Sequence, residues 1–182
     1  MNLDSHRFLS LPDAVIFDVD GTLCDVRTVR HHVERPEGAI RFTPNFNLFH
    51  SESISCPAHP QVVNLLARAR AAGFAVIVVT GREEKWSFIT STWLSEHDVL
   101  YDELLMRPSR DSRHDAVVKS EIERYIARRY NARLAIDDRA DILEVWQNAG
   151  IATSRVSVEG QLGPIKWPSE AHRKEFGWFA PS

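Results

Sequence analysis

The stretch Ala14-Val15-Ile16-Phe17-Asp18-Val19-Asp20-Gly21-Thr22 sets an unbroken apolar run directly against two acids, a glycine and a threonine. Four consecutive β-branched, aromatic or small apolar residues without polar alternation mark a strand buried on both faces of a parallel sheet. Runs of the same kind recur at residues 74–79, 134–136 and 152–158, and a weaker one at 103–106. Between them lie helical stripes. Pro60 suits a first helical position. Val62, Leu65, Leu66 and Ala69 follow at i, i+3, i+4 and i+7, and Gly73 closes the turn. Trp86, Ile89, Trp93 and Leu94 form a second stripe, and Val118, Ile122, Tyr125 and Ile126 a third. A fourth comprises Ile142, Val145, Trp146 and Ala149, ended by Gly150. Strands alternating with helices imply right-handed crossovers. The expected fold is α/β, a doubly wound, Rossmann-like parallel sheet flanked by helices.

With 182 residues the chain suits a single domain, and 43% hydrophobic residues are enough for its core. The expected core covers about residues 12–158. The segment from about 24 to 59 has no clear period and reads as an insertion, or flap, leaving the tip of the first strand. The tail from about 160 to 182, with Pro164, Pro168 and Pro181, reads as loop. A net charge of −3 gives no global basic field, so any polyanion site must be a local patch. Cys24 and Cys56 are the whole cysteine complement and form no metal-ligand spacing. A reduced, cytoplasmic setting is expected. The N-terminal residues do not read as a signal peptide, and no apolar stretch is long enough for a membrane.

Ligands of such sheets bind beyond the carboxyl ends of the strands. Four polar segments fall there: Asp18 to Thr22, Thr80-Gly81-Arg82, Asp137-Asp138, and Lys119 near the start of a helix. Asp18 and Asp20, with Asp137 and Asp138, supply hard oxygen ligands suited to Mg²⁺. The ion and Lys119 would offset repulsion between a carboxylate nucleophile and an anionic phosphate. Asp18 could then attack phosphorus and form an aspartyl-phosphate. Asp20 is placed to protonate the leaving oxygen and then activate water. The Thr80 hydroxyl and nearby backbone N–H groups, Gly81 among them, could hold phosphate oxygens. Each piece has a bland alternative. A D-x-D at a strand end is usually a turn or cap, Thr80 alone an N-cap, and Asp115 with Lys119 alone a helix salt bridge. The conjunction, in this order at crevice-facing ends, is what carries the chemistry.

The strings DVDGT, VVTGR and IDDR, with Lys119 between the last two, resemble the four motifs of the haloacid dehalogenase (HAD) superfamily of phosphotransferases. The run HDAVVKSEI followed by LAIDDRADILEVWQNAGI is similar to the 3′-phosphatase domain of phage-type polynucleotide kinase/phosphatase. The likeness spans roughly residues 14 to 158. It implies a HAD-like fold with at most a minimal cap, and a hydrolase of phosphoric monoesters. It also implies active-site roles for Asp115 and Arg82, and for an arginine shortly after the first motif, for which Arg27 and Arg30 are both candidates. The P-loop of the family's kinase half is missing, since no glycine here is followed by lysine.

The implied substrate is a 3′-phosphorylated DNA or RNA end. A mononucleotide or small phosphate ester is the alternative, and a non-catalytic subunit of a repair complex a third reading. An open site agrees with the limited room for a cap. Arg27, Arg30, Arg35 and Arg41 in the flap, with Arg107, Arg110 and Arg113 before Lys119, could contact backbone phosphates. Phe42, Phe46 and Phe49 could stack on bases, although packing of the flap onto the core is the simpler expectation. His31 and His32 read as solvated, and Asp141 as a first-turn helix acid.

Overall fold

The computed structural model describes residues 10–176. The N-terminal residues 1–9 and the last six, Pro181 included, lie outside the described residues. Among the described residues, five strands build one parallel sheet: β1 Asp13–Phe17, β2 Ala75–Glu83, β3 Glu103–Arg107, β4 Asn131–Asp137 and β5 Ala152–Arg155. Their order is β3-β2-β1-β4-β5. The helices are α1 Phe46–Glu52, α2 Pro60–Ala71, α3 Ser87–Glu96, α4 Asp115–Ile126, α5 Ala140–Asn148 and α6 Glu170–Phe176. None is long and apolar enough to cross a membrane.

The apolar runs became central strands because both sheet faces are covered. On one face Val15, Phe17, Val76, Val78, Leu134 and Ile136 pack with Val62, Leu65 and Leu66 of α2 and Trp93 and Leu94 of α3. On the other, Ala14, Ile16, Ile77, Val79 and Ala135 pack with Ile126 of α4 and Ile142, Leu143 and Trp146 of α5. Adjacent strand residues point to opposite faces, so an unbroken run feeds both cores. The chain steps from β1 to β2 to β3 on one side, then crosses back to β4 on the other. The connections leaving β1 and β4 therefore diverge, which opens a crevice at the carboxyl end of β1.

Three sequence expectations are corrected. The second strand does not stop before Thr80. It runs on to Glu83 through a register shift, because Glu83 resumes pairing with Arg107 of β3. Tyr125 is 41% exposed, and α4 instead buries Lys119 beside Val118 and Ile126. The tail is not loop throughout. Isolated bridges pair Lys166 with Thr153 and Leu162 with Val156, and α6 ends at the buried Phe176, whose ring meets Phe74 edge-on at 6.1 Å. Apolar residues of the tail, among them Leu162, Ile165 and Trp167, pack against the core, which fixes its path.

The flap contains short 3₁₀ turns at Val26–Thr28 and Arg30–His32 and the seven-residue α1, capped by the Asn45 side chain accepting from Leu48 N–H. It returns to the sheet through a bridge between Cys24 and Ala58 and a bond from Asp25 N–H to the Pro57 carbonyl. Phe49 is buried in the core, as expected of packing, but Phe46 is 56% exposed. His32 is tied to Glu52 at 2.8 Å.

Candidate active site

The site forms where β1 and β4 end side by side, with the Asp18 N–H donating to the Ile136 carbonyl at 3.0 Å. Beyond Asp18 the chain turns at once: Thr22 and Cys24 both donate to the Val19 carbonyl. Gly21 makes this turn at φ +84°, and a Cβ there would press into the Asp138 carboxylate. The position therefore needs glycine twice over, for its backbone and for its neighbour.

Lys119 is the centre of the cluster. Its Nζ donates to Asp18 Oδ1 at 2.7 Å and to Asp137 Oδ2 at 2.8 Å, and Asp115 lies at 3.9 Å. Burial alone would strip its proton. The charges of Asp137, Asp18 and Asp115 outweigh that and push its pKa up, so it is a permanent ammonium. Asp18 is held well above the usual carboxylate range by burial; Lys119 opposes the shift, and Asp137 and Asp138 add to it. Asp138 is raised to about 6, first by burial and then by Asp137. Its Oδ1 is buried without a hydrogen-bond partner, and its Oδ2 meets Arg30 at 3.4 Å.

Oxygens of Asp18, Asp137 and Asp138 all lie within 4.8 Å of one another. Three carboxylates thus crowd one ammonium, and one of their oxygens is unpartnered. A hard divalent cation with oxygen preference fits this donor set. The Asp20 carboxylate, expected among the ligands, is turned away from it. Arg82 holds it at both oxygens, and Arg82 also donates to Ser53 Oγ at 2.9 Å and Thr90 Oγ1 at 3.2 Å. Burial would raise the pKa of Asp20, but Arg82 overcomes this and lowers it.

These residues floor a cleft of about 760 Å³. Asp18, Asp20, Arg30, Gly81, Asp115, Lys119 and Asp138 line it. Asp137 sits just beneath, taking the Arg139 N–H on its other oxygen. Thr80 is buried, and its hydroxyl accepts the Arg82 N–H. Arg82, expected to touch substrate, is fully buried and reaches Asp20 instead. Of the two candidates after the first motif, Arg30 faces the cleft, whereas Arg27 points outward and pairs with Asp25 at 2.6 Å. Asp115 is fixed by Arg107 at 2.9 Å and Arg139 at 3.2 Å, hard against Gly81, where a Cβ would come within 2.8 Å of its Oδ1.

The expected arginine patch is thinner than the sequence implied. Arg113 is held by Asp111 and Glu121, Arg107 by Asp115, and Arg35 by flap carbonyls. Arg30 also lines the cleft but meets Glu34 at 3.2 Å and Asp138 at 3.4 Å, which leaves Arg110 as the cleft-lining cation of that set with no ion pair among the described residues. Sequence reasoning missed His50, Ser53, Thr90 and Arg139. Arg139 was legible, since it follows the Asp-Asp pair directly. The other three lie on elements whose period gave no hint that they face the cluster.

Residues 12–160 match the family described as the polynucleotide kinase PNKP phosphatase domain. A protein of Autographa californica nuclear polyhedrosis virus, described as a bifunctional polynucleotide kinase/RNA ligase, is 27% identical over 145 residues, 78% of this chain and 19% of that protein. A chain in a solved Pnkp1/Rnl/Hen1 complex is 29% identical with a TM-score of 0.67, covering 81% of this chain and 47% of that one. A haloacid dehalogenase-like hydrolase of Streptococcus pneumoniae, 15% identical with a TM-score of 0.58, covers 94% and 92% and shares the fold. This chain thus spans about a fifth of the viral relative and under half of the chain in that complex. The motif order, the sheet and the match over residues 12–160 place the chain in the HAD-type phosphatase domain family of polynucleotide kinase/phosphatases.

Proposed function

We propose that this phosphatase removes 3′-phosphates from DNA or RNA ends, working through an aspartyl-phosphate on Asp18 with Mg²⁺ bound by Asp18, Asp137 and Asp138. The observation that carries the reading is the buried Asp18–Lys119–Asp137 array at the floor of an open cleft. Lys119 fixes one oxygen of Asp18, which leaves the other to attack phosphorus. When bound, the metal would neutralise phosphate charge and keep Asp18 ionised despite its burial. Asp115 and the backbone around Gly81 border the phosphate position opposite Asp18. Arg30, already beside Asp138, supplies a guanidinium to the phosphate oxygens.

Asp20 serves as acid in the first step and base in the second. Its pairing with Arg82 makes the carboxylate the resting form. Donating a proton to the leaving 3′-oxygen therefore requires Asp20 first to take up a proton from solvent, against the pull of Arg82, whereas accepting one from water in the second step does not. A nucleoside 3′-monophosphate fits the same chemistry, and the small number of free cations in the cleft favours keeping that second reading. The deciding experiment compares 3′-phosphorylated oligonucleotides, 5′-phosphorylated oligonucleotides and nucleoside monophosphates side by side. Preference for the 3′-phosphorylated oligonucleotide supports the proposal. Equal turnover of all three rejects it.

A further inference from the structure

The two walls of the cleft differ in kind. The flap contributes an apolar patch of Val26, Val33, Phe46 and Phe49 with His50, beside the charged Arg30 and Glu34. The opposite wall, from the loop before α4, carries Arg110. Phe46 lies in the first turn of α1 and leaves more than half its surface exposed. Phe46 lines the cleft while staying exposed, whereas Phe49, three residues on in the same helix, is buried. Its ring is roughly parallel to that of His50, at 29° and 6.1 Å between centroids. His50 is itself buried, backed by Trp86 at 5.7 Å, and its Nδ1 lies 4.0 Å from Asp20 Oδ2. From Asp20, then, the flap wall leads to the His50 ring and on to the Phe46 ring.

Arg110 is held as deliberately. Its backbone adopts φ +68°, a region costly for a residue with a Cβ, and Glu83 Oε2 fixes it by accepting its N–H at 2.8 Å. Its neighbours on that wall, Arg107 and Arg113, are spent on internal carboxylates.

We propose that the exposed face of Phe46, one ring beyond the His50 that adjoins Asp20, is a stacking subsite for the base of the nucleotide bearing the phosphate, with Arg110 across the cleft receiving the next backbone phosphate. The proposal rests on the 3′-phosphatase reading above and gives the bound strand its direction. With the 3′-oxygen at Asp20, the sugar lies against His50 and the base over Phe46. An apolar ring on one wall and a cation on the other match a nucleotide, which is aromatic on one side and anionic on the other. A greasy peptide or a second copy of this chain would have no use for Arg110.

The test compares two oligonucleotides identical except that the 3′-phosphorylated terminal residue is either an ordinary nucleotide or an abasic sugar. For the parent protein the ratio of kcat/KM, ordinary over abasic, is expected to be about tenfold or more, the range of base–aromatic stacking. Phe46→Ala should bring that ratio close to one, and Phe46→Trp should keep it. Because Phe46 is exposed, neither change threatens the core. A parent ratio near one, or a Phe46→Ala variant that slows both substrates equally, overturns the subsite while leaving the 3′-phosphatase reading intact. Failure of the parent protein to hydrolyse either oligonucleotide, with turnover of another phosphomonoester, overturns both.

Discussion

Arg82 grips both oxygens of Asp20, with Nε to Oδ2 at 2.9 Å and Nη2 to Oδ1 at 2.6 Å, from a position with no solvent exposure at all. A charge so placed is stable only while paired. Replacing it with alanine strands Asp20 beside an empty space and frees Ser53 and Thr90 of their partner. Arg82→Ala should therefore destabilise the fold by about 3–5 kcal/mol, measurable by urea unfolding. Arg30→Ala, at a partly exposed pair with a longer 3.4 Å contact, should cost less, about 1 kcal/mol. Equal effects of the two changes would contradict the structural role given to Arg82.

Asp18→Asn should abolish turnover without loss of stability. Burial and the neighbouring carboxylates raise the pKa of Asp18, so in metal-free protein its charged form is disfavoured on folding. A neutral amide removes that penalty, although it also gives up the ion pair with Lys119. In EDTA at neutral pH the variant should melt at or above the parent's temperature. Near-normal activity in this variant would rule out covalent catalysis by Asp18.

The raised pKa of Asp138, about 6 against an unfolded value of about 3.9, sets a pH dependence. The folded state binds this proton more tightly than the unfolded state does. Its contribution to stability is full below pH 4 and is lost as pH rises through about 6. Asp18, also raised, acts in the same direction. Melting curves in EDTA should show this fall. Mg²⁺ competes with the same protons, so its stabilising effect should be small at pH 5 and grow toward pH 7.5. Activity should rise through the same window and vanish in EDTA. A metal-stripped sample with full activity would refute the proposed site.

Gly81→Ala should reduce kcat/KM by tenfold or more while the protein stays folded. The added methyl would stand 2.8 Å from Asp115 Oδ1, and Arg107 and Arg139 leave that carboxylate little room to retreat. Gly21→Ala should be worse, since it adds backbone strain at φ +84° to a clash with Asp138. Steady-state kinetics alongside circular dichroism would separate the two effects.

The fold was legible because its signals are local. The unbroken run before Asp18 needs two covered faces, and Pro60 and Gly73 bracket α2 in plain view. The cluster of Asp18, Lys119, Asp137 and Asp138 was legible as well, because strand ends in a doubly wound sheet converge. What escaped was pairing at long range. Nothing along the chain says that Arg113 meets Glu121 while the Arg110 guanidinium has no ion pair among the described residues, or that Arg82 points inward past Thr80. The inward turn of Arg82 follows the register shift on β2, a property of two strands together. His50 escaped for the same reason, since its neighbours Asp20 and Trp86 come from other segments.

The bridge between Lys166 and Thr153 gives the stretch after the last motif a task of its own. β5 is an outer strand, and on its free side Thr153 N–H and C=O are both taken by Lys166. A fragment ending near residue 158 would hold every motif and the whole acidic cluster. It would also present an unpaired ribbon of backbone and lose the Phe176 plug over Phe74. Open strand borders of this sort invite pairing with another molecule. Such a fragment should accumulate as aggregates, so the shortest span that contains the chemistry falls short of the shortest span that stays soluble.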